Sequence, residues 1–165
     1  LSERDALWLS TVAAVVVIAV TPLTGIWSDR VGRRPVLIIL AIASAALPIL
    51  MFSLMASGAR LQALLGAVIL AAVAGGYSAV GAVATAEQFP GEGRITGLAL
   101  GATMATAIFG GLTPYGAQWL VERSGWATAP GIMIALVALA VLPVFLAMRE
   151  TAPTISASRN RSASS

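Results

Sequence analysis

Five long uncharged runs dominate this sequence: Ala6–Ser28, Pro35–Ala59, Leu61–Ala86, Ile95–Val121 and Ser124–Met148. A helix of about 20 apolar residues crosses the hydrocarbon core of a bilayer. Each run is longer than that, so each can span with some tilt. One such run can be a buried helix of a water-soluble protein, but five in series leave no room for that reading. Hydrophobic residues make up 58% of the 165 positions and charged ones 10%, against about 25% charged in a soluble domain. So small a volume cannot hide that much apolar surface from water. The expected fold class is all-α and transmembrane, with the lipid bilayer as solvent.

The breaks between runs are short. Arg60 alone separates the second run from the third, flanked by Ser57 and Gly58, which predicts a tight helical hairpin. Pro22, Pro48, Pro114 and Pro143 fall inside runs. Neighbouring helices can satisfy the carbonyls they free. Every basic residue is Arg: Arg30, Arg33, Arg34, Arg94, Arg149, Arg159 and Arg161 fall on one side, and Arg4, Arg60 and Arg123 on the other. The positive-inside rule puts the larger set in the cytoplasm. Residues 1–148 then form the membrane domain, and 149–165 a Ser- and Ala-rich cytoplasmic tail too polar to fold alone. The chain opens on Leu1 with no secretory leader, and we expect it to continue from a longer protein.

Several functions are excluded by inventory. With no Cys and no His, there is no disulfide framework, thiolate metal site or imidazole base. No metal and no cofactor is expected. The arginines are scattered between apolar runs and form no basic face, so nucleic acid is not expected as a partner. Gly91, Gly93 and Gly97 are out of step for a dinucleotide fingerprint and follow no strand. Ser78 lies in no G-x-S-x-G elbow. An enzyme is not expected.

Two polar segments carry chemistry. From Gly25 to Pro35, the acid Asp29 is followed by Arg30, Arg33 and Arg34, with Gly32 permitting a sharp turn. Pro35 is expected at the first helical position of the next span. Asp29 can pair with these arginines or face a helix N-terminus; the plain alternative is a solvated basic loop that only sets topology. From Glu87 to Arg94, an acid and an arginine bracket the break at Pro90 and Gly91. Both segments fall at the same membrane surface, so Glu87 can reach Arg33 or Arg34.

The first segment resembles the G-x-x-x-D-R-x-G-R-R/K motif of the major facilitator superfamily, matched at Gly25, Asp29, Arg30, Gly32, Arg33 and Arg34. The second resembles the E-x-F-P-x-x-x-R pattern between helices 10 and 11 of sugar carriers and metabolite–proton symporters. The continuation through Gly97, Gly101, Gly110, Gly111 and Pro114 is closer to the metabolite–proton symporters. That group includes carriers of proline, betaine, shikimate, citrate and 2-oxoglutarate. It often has a Thr-Arg pair after the loop proline, where this chain has Gly91 and Glu92.

The resemblance implies helices 8 to 12 of a twelve-helix fold, a five-helix part of the C-terminal bundle. It implies a plasma (inner) membrane carrier of a small organic metabolite, working by alternating access with proton coupling. The missing N-terminal half of the same carrier would be the partner. The gating residues carried over are Gly25, Asp29, Arg30, Gly32, Arg33, Arg34, Glu87 and Arg94. Such carriers bind substrate near the bilayer centre. The mid-span polar residues Tyr77, Ser78, Thr103 and Thr106 are the cavity candidates, Tyr77 first because a buried phenol needs a polar partner. Ser and Thr can instead bond their own helix. Gly93, Gly97, Gly101 and Ala105 recur every fourth residue, a small stripe that suits close helix packing. No ionisable residue lies mid-span, so a coupling carboxylate would come from elsewhere in the carrier. The rival reading is a truncated, non-transporting membrane protein, a partner subunit or a remnant.

Overall fold

The computed structural model describes residues 3–88 and 94–151. The break at Pro90 and Gly91, with Glu92 and Gly93, and the tail expected beyond Thr151 lie outside these. So does the side chain of Arg94. The described chain is helical throughout its spans: α1 (Glu3–Val31), α2 (Arg33–Ala56), α3 (Arg60–Gln88), α4 (Arg94–Ala105), a π-helical turn (Thr106–Gly110), α5 (Gly111–Ser124) and α6 (Ala129–Ala147). Among the described residues, five segments are long and apolar enough to cross a membrane: Arg4–Val31, Arg33–Ala56, Arg60–Gln88, Ile95–Ser124 and Ala129–Ala147.

The helix limits correct the sequence reading in three places. Asp29 and Arg30 belong to the last turn of α1, and α2 already begins at Arg33. Gly32 alone breaks the chain between them, and Pro35 is the third helical residue rather than the first. The reason is that the first four N–H groups of a helix have no partner inside it, so a proline anywhere in the first turn forfeits no bond. Arg60 is the first residue of α3, not a separator. The fourth span runs to Ser124, where Gly125 at φ +70° stops it by donating its N–H to Val121 O at 2.8 Å. The fifth therefore starts at Ala129, with Pro130 in its first turn.

Across the bundle the helices lie in the order α1, α3, α2, α6. Small residues set the spacing. A Cβ on Gly75 would meet Val17 Cα at 3.3 Å, and one on Gly131 would sit 2.8 Å from Pro48 O. Backbone therefore touches backbone between α3 and α1, and between α6 and α2. Without a hydrophobic drive in lipid, such close packing is what holds transmembrane helices together. Val36, Leu37, Leu40, Val80 and Ala84 form a core cluster of α2 and α3, covered by Tyr77, Phe145 and Met148.

The fourth span stands apart from this bundle. It touches α3 only near its start and α6 along α5, and residues 101–115 are all exposed. Of the small stripe expected to pack, Gly97 is half-buried, while Gly101 and Ala105 are exposed, and a Cβ on Gly101 would meet nothing within 4 Å. Mid-span, the π turn is followed by Gly111 and by Pro114, which has no N–H to give the Gly110 carbonyl. Such interruptions are where helices bend, and π turns are frequent at functional positions.

Candidate functional site

Four helix ends meet at one end of the bundle. The last turn of α1 brings Ser28 and Asp29, the first turn of α2 brings Arg33 and Arg34, the end of α3 brings Glu87, and the exit of α6 brings Glu150 and Thr151. Gly32 makes this possible by turning the chain within one residue, at φ 122°. That conformation strongly disfavours a residue with a Cβ.

Arg33 is the centre, with only 6% of its surface exposed. Its Nε donates to Glu87 Oε2 and its Nη2 to Glu87 Oε1, each at 3.2 Å. This is the two-pronged carboxylate contact that a guanidinium makes best. Its Nη1 donates to Ser28 Oγ at 2.9 Å and lies 2.5 Å from Asp29 Oδ1. Ser28 in turn donates to Gly25 O at 2.9 Å, so the motif's first glycine contributes a carbonyl. All three guanidinium nitrogens thus face acceptors, and the arginine itself is nearly closed to solvent. A buried charge needs such pairing to be tolerated at all.

Of the arginines nominated from the sequence, Arg33 reaches Glu87 as expected. Arg34 instead donates from Nη2 to Leu146 O at 2.5 Å, at the end of α6. Arg30 is exposed and lies outside this set. The sequence reading did not nominate Glu150, Thr151 or Ser28. Glu150 accepts the backbone N–H groups of Arg33 (2.7 Å) and Arg34 (3.0 Å), and Thr151 donates its hydroxyl to Glu87. The available signal was an acid two residues past the last apolar run, on the same side as a helix that starts with two arginines.

The four cavity candidates do not share one face. Tyr77 is half-buried, packs on the core cluster and meets the Phe145 ring at a centroid distance of 5.8 Å. It borders an almost wholly apolar cavity of about 610 Å³ between α2, α3, α6 and the π turn, beside Phe52, Phe109 and Met133. Ser78, the next residue, is exposed, as are Thr103 and Thr106. The expected polar partner of the Tyr77 phenol is not found among the described residues.

A model of the Major Facilitator Superfamily matches residues 1–164. The chain belongs to that superfamily. It is 32% identical over 120 residues to the ectoine/proline transporter ProP of Corynebacterium glutamicum, covering 73% of this chain and 24% of that one. To the citrate-proton symporter of Klebsiella pneumoniae it is 31% identical over 140 residues, 84% of this chain and 32% of the other. To the alpha-ketoglutarate permease of Escherichia coli it is 29% identical over 143 residues, 86% and 33% respectively. No solved structure matches. These relatives bear out the resemblance to the metabolite–proton symporters. The chain spans about a quarter to a third of their length, and it is a multi-pass membrane protein of a transporter family.

Proposed function

We propose that this chain forms helices 8 to 12 of a secondary active transporter that moves a small organic metabolite by alternating access, coupled to protons. The observation that carries the reading is the buried Arg33 held by Glu87, Asp29 and Ser28 where helix ends meet. A network of this kind is a two-state element: paired, it holds that end of the bundle in one arrangement, and exchange of its partners releases it. Coupling energies of about 1–3 kcal/mol suffice to move such an equilibrium. The arginine distribution supports a cytoplasmic position for this end, with the C-terminus inside, and the family resemblance supports the plasma (inner) membrane. Arg30, exposed beside this network, completes the gate from its solvent side, toward the other half of the carrier; Arg94 joins the gate on the sequence pattern alone.

That N-terminal half would cover α1 and the fourth span, the two segments most open to their surroundings. Of the cavity candidates, Ser78, Thr103 and Thr106 are open to substrate, while Tyr77 braces α3 against α6. The coupling carboxylate would come from the rest of the carrier, because the apolar runs contain none. The relatives suggest zwitterionic or carboxylate metabolites as the substrate class.

The test is uptake by the whole carrier in proteoliposomes. Proline, betaine, citrate and 2-oxoglutarate are offered with and without an inward proton gradient. Saturable uptake of one class, raised by the gradient, is the expected result. A correctly inserted carrier that transports none of them and binds none would favour the partner or remnant reading.

A further inference from the structure

The helix α2 begins badly by its own means. Its N-cap, Gly32, offers no side-chain acceptor. Its first two residues are arginines, whose charge is unfavourable at the positive end of a helix dipole. Proline at position 35 has no N–H, so the groups left to satisfy in the first turn begin with the amides of Arg33 and Arg34. Both amides point at one carboxylate. Glu150 Oε1 takes the Arg33 N–H at 2.7 Å and Oε2 takes the Arg34 N–H at 3.0 Å, from 117 and 116 residues away in sequence.

The contact is reciprocal. The end of α6 leaves carbonyls without partners, and Arg34 Nη2 donates to one of them, Leu146 O, at 2.5 Å. Each helix end thus supplies what the other lacks. The turn residue is shaped for this contact as well as for its backbone angle. A Cβ on Gly32 would sit 2.7 Å from Glu150 Oε2 and 3.1 Å from its carboxyl carbon. The next residue, Thr151, donates its hydroxyl to Glu87, the carboxylate that holds Arg33.

We propose that Glu150 is a positioning residue: it caps α2 from the far end of the chain and thereby fixes the backbone from which Arg33 reaches Glu87. The motif's glycine is then needed twice, once for a left-handed φ and once to leave room for this carboxylate. The proposal extends the gate reading above, but its readouts are taken without transport, so the two can fail separately.

Hydrogen exchange at the Arg33 and Arg34 amides is the direct test, read by NMR on the full chain in lipid nanodiscs. Loss of a charged hydrogen bond corresponds to about tenfold to hundredfold faster exchange. Glu150→Ala should show this at both amides, and Glu150→Gln, which keeps one acceptor and loses the charge, a smaller rise. Unchanged exchange at both amides in both variants would overturn the cap. Glu150→Gln carries the test if Glu150→Ala fails to insert.

Two double-mutant cycles, read as resistance to unfolding, test positioning. The effect of Glu87→Gln should shrink in the Glu150→Gln background, because Arg33 is no longer held for Glu87. Additive effects would mean that Glu150 only anchors the end of α6, which would overturn the positioning role. Gly32→Ala should be milder in the Glu150→Ala background than alone, leaving only the φ penalty. An equal penalty in both backgrounds would contradict the second use of the glycine.

Discussion

The two acids paired with the Arg33 guanidinium should not matter equally, and their order follows from geometry. Glu87 makes two charged hydrogen bonds to Arg33, and its side chain is 23% exposed against 8% for the arginine. Hydrogen bonds to charged groups contribute roughly 1.5–3 kcal/mol each before solvent screening. Two of them, discounted for partial exposure, give about 2–3 kcal/mol for Glu87→Gln. Asp29 lies closer to the guanidinium, at 2.5 Å, but its side chain is 51% exposed. A pair that wet is worth about 0–1 kcal/mol, so Asp29→Asn should lower stability by less than 1 kcal/mol. Arg33→Gln should exceed both, because it leaves Glu87 facing no cation among the described residues. The assay is reversible unfolding of the chain in mixed micelles of increasing denaturing detergent, followed by far-UV circular dichroism. If Asp29→Asn matched or exceeded Glu87→Gln, burial would not be deciding the strength of this network, and the reasoning would fail.

Other expectations follow from packing and placement. Gly131→Val should lower stability by about 3 kcal/mol, because the new side chain meets the Pro48 backbone, which cannot step aside; an unchanged unfolding midpoint would contradict the α2–α6 contact. Tyr77→Phe should leave uptake by the whole carrier unchanged, since the hydroxyl has no partner among the described residues. Tyr77→Ala should destabilise by about 3 kcal/mol through lost packing on Phe145. A raised substrate KM in Tyr77→Phe would return Tyr77 to the cavity. A cysteine placed at position 60 should react with an impermeant reagent outside intact cells and one at position 34 should not; the reverse pattern would invert the topology.

The spans were legible in the sequence because charge is so costly in lipid that the runs between arginines are the helices, to within a few residues. The ends were less so. Helix α1 continues through Asp29 and Arg30 and α2 begins at Arg33 and Arg34, and bonds to Glu87, Glu150 and Leu146, distant in sequence, satisfy the polar start of α2. The Glu87–Arg33 pair was legible from both lying at one membrane surface. Glu150 was not, since its partners are backbone amides 116 and 117 residues away and no side-chain pattern announces them. Among the cavity candidates, Tyr77 differs from Ser78, Thr103 and Thr106 in being half-buried, which spacing along the chain did not announce. Neighbouring residues on a helix point about a quarter-turn or more apart, so Tyr77 turns toward α6 while Ser78 stays open.

On the proposed function, the Arg33 network governs which way the carrier opens. The most direct measurement is labelling of a cysteine at position 25, beside the network and with open space around it. It is performed in the whole carrier on inside-out vesicles, with and without Glu87→Gln. Labelling about tenfold faster in the variant is expected, together with reduced substrate counterflow at unchanged expression. Equal labelling rates and equal counterflow would contradict it.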